Sequence, residues 1–271
     1  MSYLENFKYE IHGQHERPKL VFLHGLMGSG ANWRKIVPAF SADHCVLTFD
    51  QRGHGWSFKP KMGYSPEDYS LDLKLILDEL KWSKVRLVGH SMGGRNALHF
   101  AQKYPQLLQA LVIEDIGPEG NKKAMQKTLD LIEMVPVPFA SKNAAKEYLT
   151  GPFVEKLGGG EKAMTLGQYF YTNIEARSDG TADWRFSKVA VIDSLMKGHF
   201  QPRWDAVRDL KIPTLFIRGD RSEDFPKEEF DRTLQINPQV QGVEIANSGH
   251  WVHFDQPEAF ISALKNFFSQ L

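Results

Sequence analysis

Short apolar runs recur along the chain, and stretches with helical spacing separate them. The runs are rich in β-branched residues and too short for typical helices, so they predict strands. They lie at residues 19–23, 46–49, 85–88, 111–113, 214–217 and 243–246, with an edge strand at 8–11. Apolar strands that alternate with helices are typical of a parallel sheet covered on both faces, so the pattern predicts an α/β fold.

Apolar residues at helical spacing predict crossover helices over residues 66–80, 94–104 and 257–268. The alternation stops between about residues 118 and 204, where only helix-like segments occur, at 122–134, 143–150, 163–174 and 189–197. A long stretch without strands, set between two strands, predicts an inserted helical cap over a binding site. Ordinary long crossover helices are the alternative. We therefore expect a core of 1–118 and 205–271 and a cap (lid) insertion of 119–204.

A strained turn is predicted directly after the strand at 85–88. The sequence there is Gly-His-Ser-Met-Gly-Gly at 89–94, which leads into a helix and fits the pattern G-x-S-x-G. Glycines leave room where the chain turns sharply from strand to helix. Ser91 is thereby lifted clear of the sheet, at a helix N-terminus that favours negative charge. We predict that Ser91 is a nucleophile.

A glycine-rich turn follows the strand at 19–23, with the sequence His-Gly-Leu-Met-Gly-Ser-Gly at 24–30. Acyl transfer needs two preorganised N–H donors about 3 Å from the developing oxyanion. The backbone amides of Leu26 and Met92 are the predicted donors. A phosphate-binding loop is the rival interpretation of these glycines, but the P-loop spacing and its Lys-Ser/Thr are missing. The turn at 50–57 is interpreted as architectural support.

A histidine-bearing loop lies between the strand at 243–246 and the last helix. Its sequence is Asn-Ser-Gly-His-Trp-Val-His at 247–253. Because this loop can reach the turn that carries Ser91, His250 is the predicted general base, and His253 is its nearby competitor. The order of serine before histidine differs from that of chymotrypsin and subtilisin.

A third group must hold the imidazole in the right tautomer, and two loops offer carboxylates for this. One loop carries Glu114 and Asp115, directly after the strand at 111–113. The other, after the strand at 214–217, carries Asp220, Glu223 and Asp224. Glu114 is expected to alternate to the opposite side of its strand from Asp115.

The turns at 24–25, 52–55, 89–93 and 249–251 together resemble those of the α/β-hydrolase superfamily. More narrowly, Asp115-Ile116 with Pro118, the segment 183–186 and the run Gly-His-Trp-Val-His at 249–253 are similar to the YbfF-like bacterial esterases and their mitochondrial relatives. The resemblance spans nearly the whole chain, with a looser match in the cap. It implies an α/β-hydrolase fold, a mostly parallel sheet flanked by helices with an inserted helical cap, and a serine esterase.

The resemblance also indicates which carboxylate orients the predicted base, His250. In many superfamily members the acid lies three residues after the glycine that ends the penultimate core strand, and that position here holds Ser222. The YbfF-like group departs from the pattern in the same way and places its acid one strand earlier. The resemblance therefore implies Asp115 as the acid of a Ser-His-Asp triad, ahead of Asp220, Glu223 and Asp224.

Composition narrows the range of partners. The 271 residues are 42% hydrophobic, enough for a sizeable core, and carry 33 basic and 33 acidic side chains. A formal net charge of zero argues against nucleic acid, anionic membranes and polyanionic substrates, which leaves small, largely uncharged ligands. The motifs and the resemblance make the expected ligand a small-molecule ester or thioester, and no stable membrane insertion is expected. The single cysteine, Cys45, lies in an apolar run, and no signal peptide is evident; both favour a core position for the thiol and a cytoplasmic protein. A monomer or homodimer is expected.

The predicted chemistry is hydrolysis of short- to medium-chain acyl esters through an acyl-enzyme, and the resemblance extends this to acyl-CoA thioesters. No cofactor or metal is expected, because the histidines occupy separate turns without metal-ligand spacing. Substrate contacts are expected from His24, His90, Trp184 and Trp251. Cap aromatics that either contact the substrate or pack in a core are Phe153, Tyr169, Phe170, Trp184, Phe186 and Trp204.

Two alternatives remain open at this point. One is a carbon–carbon bond hydrolase with the same triad, whose carboxylate-bearing substrate would be favoured by an inward-facing cap arginine such as Arg177 or Arg185. The other is a non-catalytic, ligand-binding protein that keeps the hydrolase fold.

Overall fold

The computed structural model describes residues 2–120, 122–199 and 202–271. Its strands are β1 (Tyr9–His12), β2 (Lys19–Leu23), β3 (Cys45–Phe49), β4 (Val85–His90), β5 (Leu108–Glu114), β6 (Ile174–Ala176), β7 (Ala182–Trp184), β8 (Thr214–Gly219) and β9 (Gln241–Ile245). Seven of these described strands form one sheet in the order β1-β3-β2-β4-β5-β8-β9, and β6 and β7 form a separate pair. In the large sheet β1 is antiparallel to β3, and the other pairs are parallel. The mostly parallel sheet is therefore confirmed.

Both faces of the sheet are buried, as the unbroken apolar strands predict. Alternate residues of β2 point to opposite faces, so Val21 and Leu23 pack into one apolar cluster while Leu20 and Phe22 pack into another. Cys45 is fully buried in the first of these clusters, which confirms its expected core position.

Helices cover the sheet and fill the long connection between β5 and β8. They are α1 (Pro66–Glu79), α2 (Met92–Lys103), α3 (Lys122–Glu133), α4 (Lys142–Thr150), α5 (Pro152–Lys156), α6 (Gly160–Thr172), α7 (Lys188–His199), α8 (Trp204–Arg208), α9 (Lys227–Ile236), α10 (Val252–Asp255) and α11 (Pro257–Phe268). Short 3-10 helices span Leu4–Asn6, Gly30–Lys35, Val37–Ala39 and Pro105–Leu107. Within the described ranges, none of the helices combines the length and the apolar character needed to cross a membrane.

The inserted segment between β5 and β8 is not purely helical, which corrects the prediction. The expected helix over 163–174 ends at Thr172, and Ile174 instead opens β6, which pairs with β7 in an antiparallel hairpin. The hairpin reverses direction beside Asp179-Gly180, where Gly180 has φ 87°, a backbone conformation that favours glycine. The Asp-Gly pair is the signal in the sequence that indicates such a turn.

A separate apolar cluster fills the inserted segment. It includes Phe153, Phe170, Trp184 and Phe186 from the segment, and Met27 from the turn after β2 joins it. The segment thus has its own core and packs against the carboxyl end of β2. The carboxyl ends of the parallel strands lie at this same edge of the sheet, where open α/β sheets commonly bind ligands.

Candidate active site

The turn between β4 and α2 has the geometry that its glycines predict. Ser91 has φ 52° and ψ −118°, a strained conformation for a residue with a side chain. A Cβ on Gly89 would lie 2.3 Å from the carbonyl oxygen of Gly93, and a Cβ on Gly93 would lie 2.4 Å from that of Leu23. Because only glycine fits at both positions, the chain can turn sharply enough to place Ser91 at the tip, directly before α2.

Three side chains from distant parts of the chain form one line of hydrogen bonds. His250 Nε2 lies 2.9 Å from Ser91 Oγ, and His250 Nδ1 lies 2.9 Å from Asp115 Oδ2. Asp115 is fully buried at the end of β5, whereas the His250 side chain is 21% exposed. With the proton of the neutral ring on Nδ1, the imidazole donates to Asp115 and accepts the hydroxyl proton of Ser91. That arrangement suits a general base acting on a nucleophile.

The backbone around Asp115 fixes its carboxylate. The residue has φ 50°, and its amide donates to the carbonyl of Ile217 at 2.7 Å. Its Oδ1 accepts the Gly219 amide at 2.9 Å, and its Oδ2 also accepts the Ser222 hydroxyl. Burial raises the pKa of the Asp115 carboxyl, while the hydrogen bonds from His250, Ser222 and Gly219 oppose that rise. Ser222, which occupies the usual acid position of the superfamily, thus supports a carboxylate from the neighbouring strand.

The three other candidate carboxylates differ in their distance from His250. Asp224 Oδ2 lies 3.5 Å from His250 Nδ1, and its side chain is 38% exposed. Asp220 instead accepts the Ser248 amide at 3.1 Å, and the exposed Glu223 forms ion pairs with two cap lysines. Of these three, Asp224 is therefore the one positioned to influence the imidazole.

Nearby carboxylates determine the protonation of His250. Burial lowers its pKa, but the charge of Asp224 and the hydrogen bond and charge of Asp115 outweigh burial and raise the pKa to about 9. The ring is therefore harder to deprotonate than a free histidine, whose pKa is about 6.5.

One of the two expected oxyanion donors, Leu26, lies in the turn after β2, and the other, Met92, lies at the start of α2. Met92 is the first residue of α2, and first-turn amides have no intrahelical acceptor. The turn around Leu26 is closed by a bond from the Gly28 amide to the Gly25 carbonyl at 3.0 Å. From the inserted segment, the Tyr169 hydroxyl donates to the Leu26 carbonyl at 3.0 Å. The orientation of the Leu26 peptide is therefore fixed from both sides.

Three of the four residues expected to contact the substrate, His24, His90 and Trp184, are buried. His24 is fully buried, with Nε2 accepting the Gln51 amide at 2.9 Å and Nδ1 bonded to the Gly25 carbonyl at 2.7 Å. His90 is buried, and its Nε2 donates to the His250 carbonyl at 2.8 Å. These two rings hold the loops on either side of Ser91 rather than offering a free surface.

The two tryptophans differ from each other. Trp184 is buried in the apolar cluster of the inserted segment, where it stacks on Phe186 at 4.7 Å between ring centroids. Trp251 is half-buried next to His250, and its ring centroid lies 5.3 Å from that of Tyr169. Of the four expected substrate contacts, Trp251 is therefore the one that is partly exposed beside the predicted base, His250.

Glu114 and His253 form a second buried pair, which holds the loop that carries His250. This pair shows why His253, the competitor of His250, does not bond to Ser91. Glu114 accepts both the backbone amide and Nδ1 of His253 at 2.8 Å. Ligand atoms of His90, Glu114 and His253 lie within 4.8 Å of one another, although the sequence places the histidines in separate turns. Because Glu114 binds His253 and His90 binds the His250 carbonyl, each group already has a protein partner. His253 is thereby occupied away from Ser91.

The model of the family described as the alpha/beta hydrolase fold matches residues 18–257. The chain belongs to this family. The sn-1-specific diacylglycerol lipase ABHD11 of Mus musculus is 32% identical over 268 residues, covering 95% of this chain and 83% of that protein. Esterase YbfF of Escherichia coli (strain K12) is 27% identical over 258 residues, covering 94% of each chain. The α/β-hydrolase fold and the resemblance to the YbfF-like esterases are thus confirmed.

A solved structure gives the same fold. The crystal structure of E-2-(acetamidomethylene)succinate hydrolase superposes with a TM-score of 0.84 at 25% identity, covering 97% of this chain and 95% of that one. Relatives named lipase, esterase and hydrolase support a hydrolase within this α/β-hydrolase family.

Proposed function

We propose that this hydrolase is a serine hydrolase that cleaves short- to medium-chain acyl esters or thioesters through an acyl-enzyme. The observation that carries the proposal is the line of hydrogen bonds from Ser91 through His250 to Asp115. In this proposal Ser91 is the nucleophile, His250 the general base and Asp115 the acid. The names of the relatives support cleavage of an acyl bond and leave the acyl group open.

The proposed cycle begins when Ser91 Oγ attacks the carbonyl carbon and passes its proton to His250 Nε2. The amides of Leu26 and Met92 donate to the oxygen that becomes negative. Collapse of the tetrahedral intermediate expels the alcohol or thiol, which takes the proton from His250. Water then attacks the acyl-enzyme with His250 again as base, and the carboxylic acid leaves. Asp115 keeps the Nδ1 proton in place throughout.

The inserted segment, residues 119–204, is proposed to act as the cap of this site. Two contacts support the role. Tyr169 of α6 reaches the oxyanion turn through its bond to Leu26, and its ring lies against Trp251 beside the proposed base. These contacts bring the segment to the turn of Leu26 and to the neighbour of His250, so its residues would select the acyl chain.

Two measurements test the proposed function. The first is hydrolysis of p-nitrophenyl esters from acetate to palmitate, with an acyl-CoA thioester series alongside. The second is covalent labelling by a fluorophosphonate, located by mass spectrometry. Saturable turnover of short or medium chains and a label on Ser91 are expected. A folded protein that neither hydrolyses these esters nor reacts would instead be a ligand-binding protein of the same fold.

The pH dependence of turnover should follow the protonation of His250. His250 must be neutral to accept a proton, so kcat/KM for a neutral ester should rise with pH as the ring deprotonates. Because the carboxylates raise its pKa to about 9, this rise should lie above the usual range for histidine. Asp224→Asn removes one of these charges, so the rise should move to lower pH, by up to about one unit.

The matched control for Asp224→Asn is Glu223→Gln, which removes an exposed charge from the same loop. It should leave the pH profile in place. The readout is kcat/KM against pH at fixed ionic strength. A profile of Asp224→Asn that coincides with wild type would contradict the assigned influence of Asp224 on the base.

A further inference from the structure

The inserted segment carries a partly buried arginine, Arg185, close to a contact with the core. Its neighbours Trp184 and Phe186 both pack into the apolar cluster of the cap. β7 ends at Trp184, so Arg185 lies in the bend that follows it, and its amide donates to the Asn173 carbonyl at 2.7 Å. Just beyond, the Ser187 amide donates to the carbonyl of Gly53 at 2.7 Å, which ties this segment to the core. Arg185 therefore lies where the inserted segment meets the core.

The guanidinium of Arg185 has hydrogen-bond donors to spare. Among the residues that the structure describes, its buried Nε has no partner, and its one side-chain bond, from Nη2 to Asn173 Oδ1, is 3.4 Å long. No carboxylate in the described part of the chain forms an ion pair with it. Burying part of a charged group without such a partner is costly. A partly buried cation with unused donors favours the binding of an anion.

Arg177, the other arginine considered in the inserted segment, differs from Arg185 in its exposure and in its ion pair. Arg177 lies on the same hairpin, but its side chain is 53% exposed and forms an ion pair with Asp183. The two arginines look alike in the sequence. In the structure Arg177 is a paired surface residue, whereas Arg185 is partly buried and unpaired.

The charge of Arg185 acts on groups beside the proposed oxyanion turn. Burial is the main cause that lowers the pKa of His24, and Arg185 lowers it further. Burial raises the pKa of Tyr169, and Arg185 opposes that rise. His24 precedes the turn and Tyr169 bonds to Leu26 within it. Hydrogen bonds agree with this coupling, because Arg185 bonds to Asn173 and the Asn173 side-chain amide donates to the Tyr169 carbonyl at 3.1 Å.

A second cation lies near Arg185. The exposed Lys59 couples to Arg185 as a like charge and to Glu175 and Asp50 as opposite charges. Its Nζ donates to the Gly55 carbonyl at 2.8 Å. Lys59 therefore adds positive charge on the core side of the boundary and cannot neutralise Arg185.

We propose that Arg185 forms an anion subsite that binds a carboxylate carried on the acyl chain of the substrate. A guanidinium offers two parallel donors that match a carboxylate, and such bonds are stronger than neutral ones. The inference rests on the proposed serine hydrolase and narrows its substrates to monoesters or monothioesters of dicarboxylic acids. The subsite gives the cap a role in selecting charge as well as chain length.

The test compares two p-nitrophenyl esters whose far carboxyl is either free and charged or methylated and neutral, mono-p-nitrophenyl adipate and methyl p-nitrophenyl adipate, with the spontaneous rate subtracted. Wild type should prefer the anionic ester in kcat/KM by about tenfold or more, chiefly through KM. Arg185→Gln should abolish this preference while turnover of the neutral ester stays within about twofold. Arg177→Gln is the matched control and should keep the preference. A wild type without preference, or an Arg185→Gln variant that loses both activities equally, overturns the subsite.

A binding measurement separates failure of the subsite from failure of the proposed function. Monomethyl adipate is titrated by calorimetry into Ser91→Ala and into Ser91→Ala with Arg185→Gln. Binding that weakens about tenfold or more in the second protein supports the subsite, even if wild type cleaves no ester. In that case the serine hydrolase fails and the subsite stands. Absence of binding, or equal binding to both proteins, overturns the subsite whatever the turnover.

Discussion

Ser91→Ala is expected to lower kcat for p-nitrophenyl esters by roughly ten-thousand-fold to a million-fold. The loss should be this large because Ser91 is the proposed nucleophile of the elbow, the sharp turn between β4 and α2, and alanine cannot form the acyl-enzyme. The small remaining rate would come from the oxyanion donors and substrate binding acting on water. The fold should survive, since the hydroxyl of Ser91 bonds only to His250 among the described residues and alanine is no larger. Steady-state kinetics and thermal unfolding, measured together, check both statements.

The matched control is Ser269→Ala, which removes an exposed hydroxyl after α11, far along the chain from the elbow. It should turn over esters like wild type and still react with a fluorophosphonate, whereas Ser91→Ala should not be labelled. A Ser91→Ala protein that keeps a hundredth of the activity, or that is labelled at another serine, would show that the nucleophile lies elsewhere.

The parts of the fold that depend on local sequence could be predicted. Helix α11 spans Pro257–Phe268, as its apolar spacing and opening proline predict. The elbow was also predictable, because its requirements lie within six consecutive residues: a strand must end, glycines must leave room and a helix must begin. Signals of this kind need no knowledge of what packs against them.

Pairings between distant segments could not be read from the residues alone. Ser222 bonds to Asp115 across 107 positions, and Glu114 bonds to His253 across 139. Both depend on which strands are neighbours in the sheet and on where each loop ends. Spacing could place Glu114 on the far side of β5 from Asp115, but it could not identify its partner. The resemblance to the YbfF-like esterases pointed to Asp115, whereas the residues left Asp224 open as well.

The cap was harder to predict than the core for a similar reason. Its helices are amphipathic and short, and a hairpin of two three-residue strands is too brief to show a clear period. Which of its arginines is partly buried depends on where the hairpin ends, because Arg185 lies in the bend directly after β7. A helix continued through Ile174 would have pointed these side chains differently.

The identity of the acid has the second largest expected effect. Asp115→Asn should lower kcat by about a thousand- to ten-thousand-fold. An amide at this position would present either its oxygen or its NH2 group to His250. With the NH2 group it would donate to Nδ1, which would place the ring proton on Nε2 and prevent that nitrogen from accepting the proton of Ser91. In either orientation it would lack the negative charge that stabilises the protonated ring during attack.

Asp224→Asn is the comparison that distinguishes the two candidate acids. Asp224 is the other carboxylate near His250 Nδ1, at 3.5 Å. Its carboxylate is partly exposed, and water can replace much of its effect. Measured above the rise in the pH profile, Asp224→Asn should keep turnover within several-fold of wild type. Circular dichroism and thermal unfolding should show both variants folded. If Asp115→Asn keeps a tenth of the activity while Asp224→Asn loses a thousandfold, the acid belongs to the loop after β8, as in many other members of the superfamily.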